Sequence, residues 1–180
     1  SRLGMDKVHS KQMFLSYNVA TPRFVTITSA LGERGISRAV GRLGLPLVVK
    51  PQRQGSSLGV GMADDADSLR AALMSALNYE DCVMLEERIA GRELTVGILD
   101  DQALPVIEIR SARGFFDNEA KYHDGRTQYI TNPDMDEFTQ AMVQDAALHR
   151  HRAIGAQDFS RVDLMLGTDG TPQVLEVNTI

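Results

Sequence analysis

Apolar residues recur along the chain at helical spacing in some stretches and cluster in short runs in others. The helical spacing predicts helices over residues 5–18, 64–78 and 138–154, and a weaker helix that ends near Leu43. Short apolar runs bounded by turn residues predict strands over residues 24–28, 47–50, 83–89, 93–99, 103–109, 161–166 and 173–178. We therefore predict a chain of mixed helices and strands, in which some neighbouring strands pair as hairpins.

The last hairpin is specified most closely, because its strands flank the dipeptide Asp169-Gly170. Asp-Gly is typical of a two-residue type I′ turn. With Thr168 opposite Thr171, three pairs should face each other on one side of the ribbon: Met165 with Val174, Asp163 with Glu176, and Arg161 with Asn178. The other side should form the core, with Val162, Leu164, Leu166, Leu175 and Val177.

This register predicts a metal site. Directly opposed side chains have Cβ atoms about 4.5–5.5 Å apart, and like charges there are destabilising, so Asp163 and Glu176 need a cation between them. Asn178 adds an amide oxygen one step along the ribbon. Oxygen ligands favour Mg²⁺ or Mn²⁺ over zinc. The alternative is an acidic pair on the solvent-exposed surface.

The stretch from Leu47 to Gly61 has a different chemistry. An apolar run ends on Lys50, and a loop with Gly55, Gly59 and two serines follows. The glycines permit close backbone approach, and Ser56 and Ser57 can surround anionic oxygens, with Lys50 as a nearby point charge. No Gly-Lys-Ser/Thr opens a helix here, so the loop differs from a Walker P-loop. The alternative is an ordinary hairpin with a solvated lysine.

Basic residues also cluster on two predicted helices. Lys7 and Lys11 lie one turn apart, which suits an anion held between them or a solvated helix face. Residues 149–152 read His-Arg-His-Arg, but consecutive residues point to different sides of a helix. We predict that this second run is a solvated face rather than a metal or nucleic-acid site.

The composition, net charge and cysteine count exclude several classes of protein. The chain of 180 residues has 43% hydrophobic and 24% charged residues, which is ordinary for a soluble globular protein. A formal charge of -5 argues against a nucleic-acid partner. The single cysteine, Cys82, excludes an internal disulfide and suits a reducing compartment. The apolar runs are short, so we expect no membrane span and a cytoplasmic location.

A long polar segment lies between the predicted strand 103–109 and the predicted helix 138–154. Residues 114–128 contain aromatic residues, with Lys121 and Tyr122 at the centre. Such a segment is a candidate lid over an active site. The alternative is a surface loop whose aromatic residues pack down.

Taken in order, these motifs resemble those of the D-alanine–D-alanine ligase family, which has the ATP-grasp fold. The resemblance covers nearly the whole chain and is carried by seven segments, namely 5–11, 49–59, 86–87, 91–93, 119–122, 161–163 and 176–179. It implies an α+β fold with two lobes of mainly antiparallel sheet, residues 1–85 and 86–180, and a nucleotide held between them.

The resemblance implies an enzyme that joins two D-alanine molecules, using ATP and Mg²⁺ or Mn²⁺, for the synthesis of peptidoglycan precursors. ATP would phosphorylate the carboxylate of the first D-alanine, and the amine of the second would attack the acylphosphate. The homologous enzyme is expected to form a homodimer in the cytoplasm, without nucleic-acid or membrane partners.

The resemblance also assigns roles residue by residue. Phosphate contacts fall to Lys11, Lys50, Ser56 and Ser57. Adenine and ribose contacts fall to Glu86, Glu87, Arg88, Ile89 and Glu93. Metal ligation falls to Asp163, Glu176 and Asn178. Arg161 would stabilise the developing oxyanion, Lys121 and Tyr122 would belong to the closing loop, and the catalytic residues would be Arg161, Ser56 and Tyr122.

Three features depart from the family pattern. Arg88 stands where a large aromatic residue is usual, and Ser160 where a glycine is usual. The family's amino-terminal domain and its last carboxy-terminal segment have no counterpart, so we expect a fragment that is inactive alone. The alternatives are another ATP-grasp or depsipeptide ligase, and a nucleotide-binding module without catalysis.

Overall fold

A computed structural model describes residues 6–111 and 127–179 of the chain. The helices are α1 (Lys7–Ser16), α2 (Gly32–Leu43), α3 (Ala66–Leu77) and α4 (Glu137–Ala153), with a short 3-10 helix at Ser29–Leu31. The strands are β1 (Phe24–Thr28), β2 (Leu47–Pro51), β3 (Gly61–Ala63), β4 (Cys82–Glu87), β5 (Gly91–Leu99), β6 (Gln102–Ala103), β7 (Ile107–Ser111), β8 (Thr127–Ile130), β9 (Phe159–Gly167) and β10 (Pro172–Thr179). Lys121 and Tyr122, the centre of the predicted lid, lie outside the described residues.

The chain divides into two compact units. The small unit is Pro22–Arg88, and the large unit combines Ser1–Thr21 with Ile89–Ile180. The sequence placed the boundary at residues 85 and 86 and assigned the first residues to the first lobe. The structure differs there, because α1 belongs to the large unit.

The small unit is an antiparallel sheet of order β1-β4-β2-β3 with α2 and α3 packed on it. Its core combines sheet residues such as Val49 and Leu85 with the apolar face of α3. That face contains Leu69, Ala72, Leu73 and Ala76. Asp65 is the N-cap of α3: it precedes the first helical turn, and its side chain accepts a hydrogen bond from the Ser68 backbone N–H at 2.8 Å.

The large unit contains the antiparallel order β10-β9-β5-β7-β8, with β6 paired to β5. Alternation along the strands directs Leu94, Val96, Val162 and Leu164 into a core shared with α4. Every strand pairing among the described residues is antiparallel, which confirms the predicted α+β class with mainly antiparallel sheets. No helix among the described residues is long and apolar enough to cross a membrane.

The basic run on α4 is not the solvated face that the sequence predicted. His149 and Arg152 are exposed, but Arg150 is fully buried and His151 is 2% exposed. The Arg150 guanidinium carbon lies 3.3 Å from the centre of the Phe14 ring, and Nη2 donates to the Ala20 carbonyl at 3.2 Å. Burial lowers the pKa of Arg150 to about 9. Arg150 thereby packs α4 against α1 within the large unit, a role that its charge alone did not suggest.

Phe14 determines which face of α1 is buried. Phe14 is fully buried, whereas its neighbour Leu15 is 57% exposed. Ser10 and Lys11 lie on the same buried face as Phe14.

A buried carboxylate ties β5 to β7 in the large unit. Glu108 is 3% exposed. It accepts hydrogen bonds from Arg92 at 2.6 Å and from Arg110 at 2.9 and 3.1 Å. The hydrogen bond from Arg92, with further help from Arg110, lowers the pKa of Glu108 to about 2. A depressed pKa stabilises the fold above the unfolded-state value and loses that stabilisation as the pH falls towards 2.

We expect Glu108→Gln to lower the free energy of unfolding by about 1–3 kcal/mol at pH 7, because two arginines lose a charged acceptor. The variant should also lose less stability than the parent between about pH 4.5 and pH 2. Urea unfolding at several pH values measures both effects. Glu33→Gln is the matched control, since its exposed pair with Arg70 should contribute little. The same pH slope in parent and Glu108→Gln would contradict this account.

Candidate functional site

In the final hairpin the predicted site residues face each other, but the strand register that pairs them differs from the prediction. Glu176 faces Asp163 and Asn178 faces Arg161, as predicted. Met165, however, faces Gln173 rather than Val174, and the register shifts between Val174 and Glu176. The predicted core side is corrected accordingly: Val174 is fully buried, and Leu175 is only partly buried.

Two departures from the predicted hairpin, one in the turn and one in β10, each shift the register by one residue, and the two shifts cancel. The turn is not a two-residue type I′ turn, because Gly167 donates to the Thr171 carbonyl at 3.0 Å and Gly170 donates to Gly167 at 2.9 Å. Gly170 has φ +80°, and the Thr171 N–H donates to the Asp169 side chain at 2.9 Å. These features are typical of a three-residue loop with a glycine bulge. The second bulge, at Leu175, restores the pairing of Asp163 with Glu176.

The second bulge coincides with an attachment of the amino-terminal segment. The Val174 N–H donates to the Ala20 carbonyl at 3.0 Å, and the Thr21 hydroxyl donates to the Val174 carbonyl at 2.8 Å. The Thr21 hydroxyl in turn accepts from the Lys11 ammonium at 2.7 Å. Lys11 is fully buried, so the solvated-face interpretation does not hold for it. The lysine and the acidic hairpin are therefore linked within one unit.

Four hydrogen-bond donors hold the Asp163 carboxylate. Arg161 donates from Nε to Oδ1 at 3.0 Å and from Nη2 to Oδ2 at 2.8 Å. Thr95 donates to Oδ1 at 2.7 Å, and Asn178 donates to Oδ2 at 2.9 Å. Asp163 is 7% exposed, whereas the Arg161 side chain is 49% exposed. The hydrogen bond to Asp163 raises the pKa of Arg161.

The donor chemistry of this cluster fits a hard divalent cation. Asp163 and Glu176 offer carboxylate oxygens on opposed positions, and Asn178 donates through its nitrogen, which leaves its side-chain oxygen as an acceptor. Within residues 6–111 and 127–179 there is no cluster of three or more His, Cys, Asp or Glu side chains arranged for a metal. The predicted set contains two such residues, and its third member is an amide. Arg161 occupies both Asp163 oxygens, so a cation must displace it from at least one.

In the small unit, two predicted nucleotide residues meet. Register pairs Val48 with Glu86 and Lys50 with Met84 on neighbouring strands. The Lys50 ammonium forms an ion pair with Glu86, whose side chain is 1% exposed. Lys50 itself is 13% exposed at its side chain. Each of these residues therefore neutralises the other's charge in a largely buried place.

The loop that carries the two serines has a strained backbone and is anchored at Arg53. Ser56 and Ser57 have φ +51° and +57°, the left-handed region that costs about 1–3 kcal/mol for such residues. The Arg53 N–H donates to both Glu80 carboxylate oxygens at 3.0 and 2.9 Å. Gly59 has φ +70°, and a Cβ there would lie 2.7 Å from the Tyr79 ring. Strain of this kind is typical of ligand-binding loops.

The remaining predicted residues lie at the end of β4, directly after it, and on β5. Glu87 forms a two-point ion pair with Arg23 at 2.9 and 3.1 Å, which lowers the pKa of Glu87. Arg88 pairs with Asp64 at 2.9 Å. Arg88 ends the small unit, and Ile89 begins the second segment of the large unit. Glu93 lies on β5 between Ile109 and Met165 of the flanking strands.

The structure thus groups the predicted residues into two sets. The large unit holds Lys11, Ile89, Glu93, Arg161, Asp163, Glu176 and Asn178, and the small unit holds Lys50, Ser56, Ser57, Glu86, Glu87 and Arg88. Sequence reasoning missed Thr95 and Thr21, which bind Asp163 and Lys11 directly. Both threonines bind residues that are distant in the sequence, Asp163 and Val174, and no spacing pattern in a sequence predicts such contacts.

Comparison with known proteins places this architecture among known ligases. Residues 13–180 match the family model described as "D-ala D-ala ligase C-terminus". The D-alanine–D-alanine ligase of Syntrophotalea carbinolica is 41% identical over 181 residues, which is 100% of this chain and 57% of that protein. The chain therefore spans a little over half the length of this curated relative.

Solved structures agree with the sequence match. VanG D-Ala:D-Ser ligase from Enterococcus faecalis superposes with a TM-score of 0.87 at 31% identity, covering 99% of this chain and 53% of that one. The D-alanine–D-alanine ligase of Bacillus anthracis in complex with ATP gives a TM-score of 0.79 at 31% identity, covering 98% and 55%. These likenesses confirm the predicted ATP-grasp fold.

Proposed function

We propose, since this chain belongs to the D-alanine–D-alanine ligase family, that it serves the ATP-dependent joining of two D-alanine molecules into D-alanyl-D-alanine. The observation that carries the proposal is the hairpin end, where Asp163 faces Glu176 and shares hydrogen bonds with Arg161 and Asn178. An oxygen-rich cation site next to an arginine suits the transfer of a phosphoryl group to a carboxylate.

The reaction proceeds in two steps, through an acylphosphate. A carboxylate oxygen of the first D-alanine attacks the γ-phosphorus of ATP, and ADP leaves. The neutral amine of the second D-alanine attacks the acyl carbon, inorganic phosphate leaves with that carboxylate oxygen, and the proton lost by the amine ends on the phosphate. Bound Mg²⁺ or Mn²⁺ neutralises charge on the ATP phosphates.

The residues of this chain divide the work by their chemistry. Asp163, Glu176 and Asn178 hold the cation. Arg161 stabilises the negative charge that develops in the tetrahedral intermediate, since a guanidinium is always charged and donates from several N–H groups. Lys11 contributes positive charge for the phosphates.

In the small unit, Lys50 contributes further positive charge, and Ser56 and Ser57 line the phosphate loop. Glu86 accepts from the adenine amino group, and Lys50, which pairs with Glu86 Oε1, positions that carboxylate. The Glu87 and Arg88 N–H groups already donate to Arg23 and Pro46 carbonyls. Purine contacts from this segment therefore involve backbone carbonyls or Ile89, while Glu93 holds the ribose.

Further parts of the proposal follow the family. By the family resemblance, Lys121 and Tyr122, which lie outside the described residues, would help to exclude water from the acylphosphate. The enzyme works in the cytoplasm, as a homodimer, and its product serves peptidoglycan synthesis. It has neither nucleic-acid nor membrane partners.

A second candidate function differs only in the second substrate. VanG, a D-Ala:D-Ser ligase, has a closely similar fold to this chain. D-serine in place of the second D-alanine would use the same amine attack on the same acylphosphate. Both of these candidates are ligases, and a non-enzymatic alternative is a module that binds ATP without catalysis.

An ADP-release assay on the full-length protein separates these functions. We expect ADP to form when ATP, Mg²⁺ and D-alanine are present together, and not with L-alanine. D-serine added with limiting D-alanine yields the mixed dipeptide only for the second candidate. ATP binding without ADP release stimulated by any D-amino acid would favour the non-catalytic module.

A further inference from the structure

Thr95 lies beside the proposed cation site, on the strand that flanks the acidic hairpin. The β5–β9 register pairs Thr95 directly with Asp163. Both side chains lie on the face of the sheet opposite to the core residues Leu94, Val162 and Leu164. The Thr95 hydroxyl donates to Asp163 Oδ1 at 2.7 Å, and each residue is 7% exposed.

The partners of Asp163 differ in what cation binding would do to them. Arg161 carries positive charge, is half exposed, and occupies the oxygens that a cation needs. Asn178 is itself a proposed ligand. Thr95 is neutral, buried and outside the proposed ligand set, so it can keep its hydrogen bond when Arg161 is displaced.

We infer that Thr95 is a positioning residue, which fixes the Asp163 carboxylate for the cation after Arg161 has left. The inference rests on the proposed function. One carboxylate oxygen accepts more than one bond, so Oδ1 can keep Thr95 while the carboxylate faces a cation. The β-branched threonine has restricted χ1 freedom, which limits rotation of its hydroxyl and thus of the carboxylate that it holds. Hydrogen bonds of this kind to metal ligands typically change metal affinity about 10–100-fold.

The test measures binding of Mn²⁺ to the full-length protein with a non-hydrolysable ATP analogue, by electron paramagnetic resonance. We expect Thr95→Val to weaken Mn²⁺ binding about 10–100-fold while metal-free nucleotide binding is unchanged. Thr95→Ser keeps the hydroxyl and should bind Mn²⁺ nearly as the parent does. Thr26→Val makes the same change at an exposed position of β1 in the small unit and should have no effect.

Asp163→Asn, measured in the same series, separates failure of this inference from failure of the proposed function. Weak Mn²⁺ binding in Asp163→Asn with parent-like binding in folded Thr95→Val would overturn the role of Thr95 alone. Parent-like binding in both variants would remove the cation site itself. If Thr95→Val does not fold, Thr95→Ser and Thr95→Ala replace it, and equal Mn²⁺ affinity of those two overturns the inference.

Discussion

Asp163→Asn should weaken Mg²⁺-dependent ATP binding by about 100-fold or more, the largest effect on binding expected of any single substitution. Loss of an outer-shell partner typically costs 10–100-fold, and Asp163 is proposed as a direct ligand whose charge opposes Glu176. Asparagine has nearly the same shape as aspartate. The four donors around the side chain therefore lose a charged acceptor, while the packing changes little. Calorimetric titrations of ATP with and without Mg²⁺ measure the effect, which should be confined to the titration with metal.

Glu176→Gln is the companion variant for Asp163→Asn. It removes the opposed carboxylate and should weaken metal-dependent binding in the same direction. Thermal unfolding of both variants checks that the hairpin still forms. An equal loss of ATP affinity with and without Mg²⁺ would mean that the two acids are a structural surface feature and that the cation lies elsewhere.

Arg161→Met should change metal binding and catalysis in opposite directions. Arg161 occupies both Asp163 oxygens, so its removal eliminates a competing cation and Mn²⁺ should bind at least as tightly as in the parent. Ligation should nevertheless fall about 10²–10³-fold in kcat, since a donor to the developing oxyanion is lost. Mn²⁺ titration and steady-state kinetics of the full-length protein give the two values.

Arg152→Met is a closely matched control for this prediction. Arg152 also forms a two-point pair with an aspartate, Asp101, at 2.9 and 2.9 Å, and its side chain is 53% exposed. Its removal should alter neither metal affinity nor kcat. If Arg161→Met weakens Mn²⁺ binding as Asp163→Asn does, Arg161 acts mainly to hold Asp163 in place, and the exchange of arginine for cation is wrong.

The acidic hairpin shows how far sequence can reach. Facing of Asp163 and Glu176 was predicted from a type I′ turn that does not exist. A longer turn shifts the register by one residue, and the bulge at Leu175 shifts it back. Asp-Gly signals a turn reliably, but the turn length also depends on the Asp169 side chain, which accepts the Thr171 N–H. The bulge accompanies contacts of Val174 with Ala20 and Thr21, two residues that are distant from the hairpin in the sequence.

Long-range packing explains the other differences. Arg150 appeared solvated because it is charged and sits in a basic run, yet it packs on Phe14 of a helix at the other end of the chain. Thr95 was invisible as a partner of Asp163, because the pairing of β5 with β9 joins residues 68 positions apart. Local patterns predicted the helices and hairpins. Contacts between distant segments determined which side chains support the site.

Transfer of an oxygen atom tests the central claim most directly. The full-length protein is incubated with ATP, Mg²⁺ and D-alanine labelled with ¹⁸O in its carboxylate, and the phosphate and dipeptide are analysed by mass spectrometry. The proposed acylphosphate predicts one ¹⁸O atom in the inorganic phosphate for each D-alanyl-D-alanine formed, with equal amounts of ADP. Unlabelled phosphate, or ADP formed without dipeptide, would contradict ligation through phosphorylation of the D-alanine carboxylate.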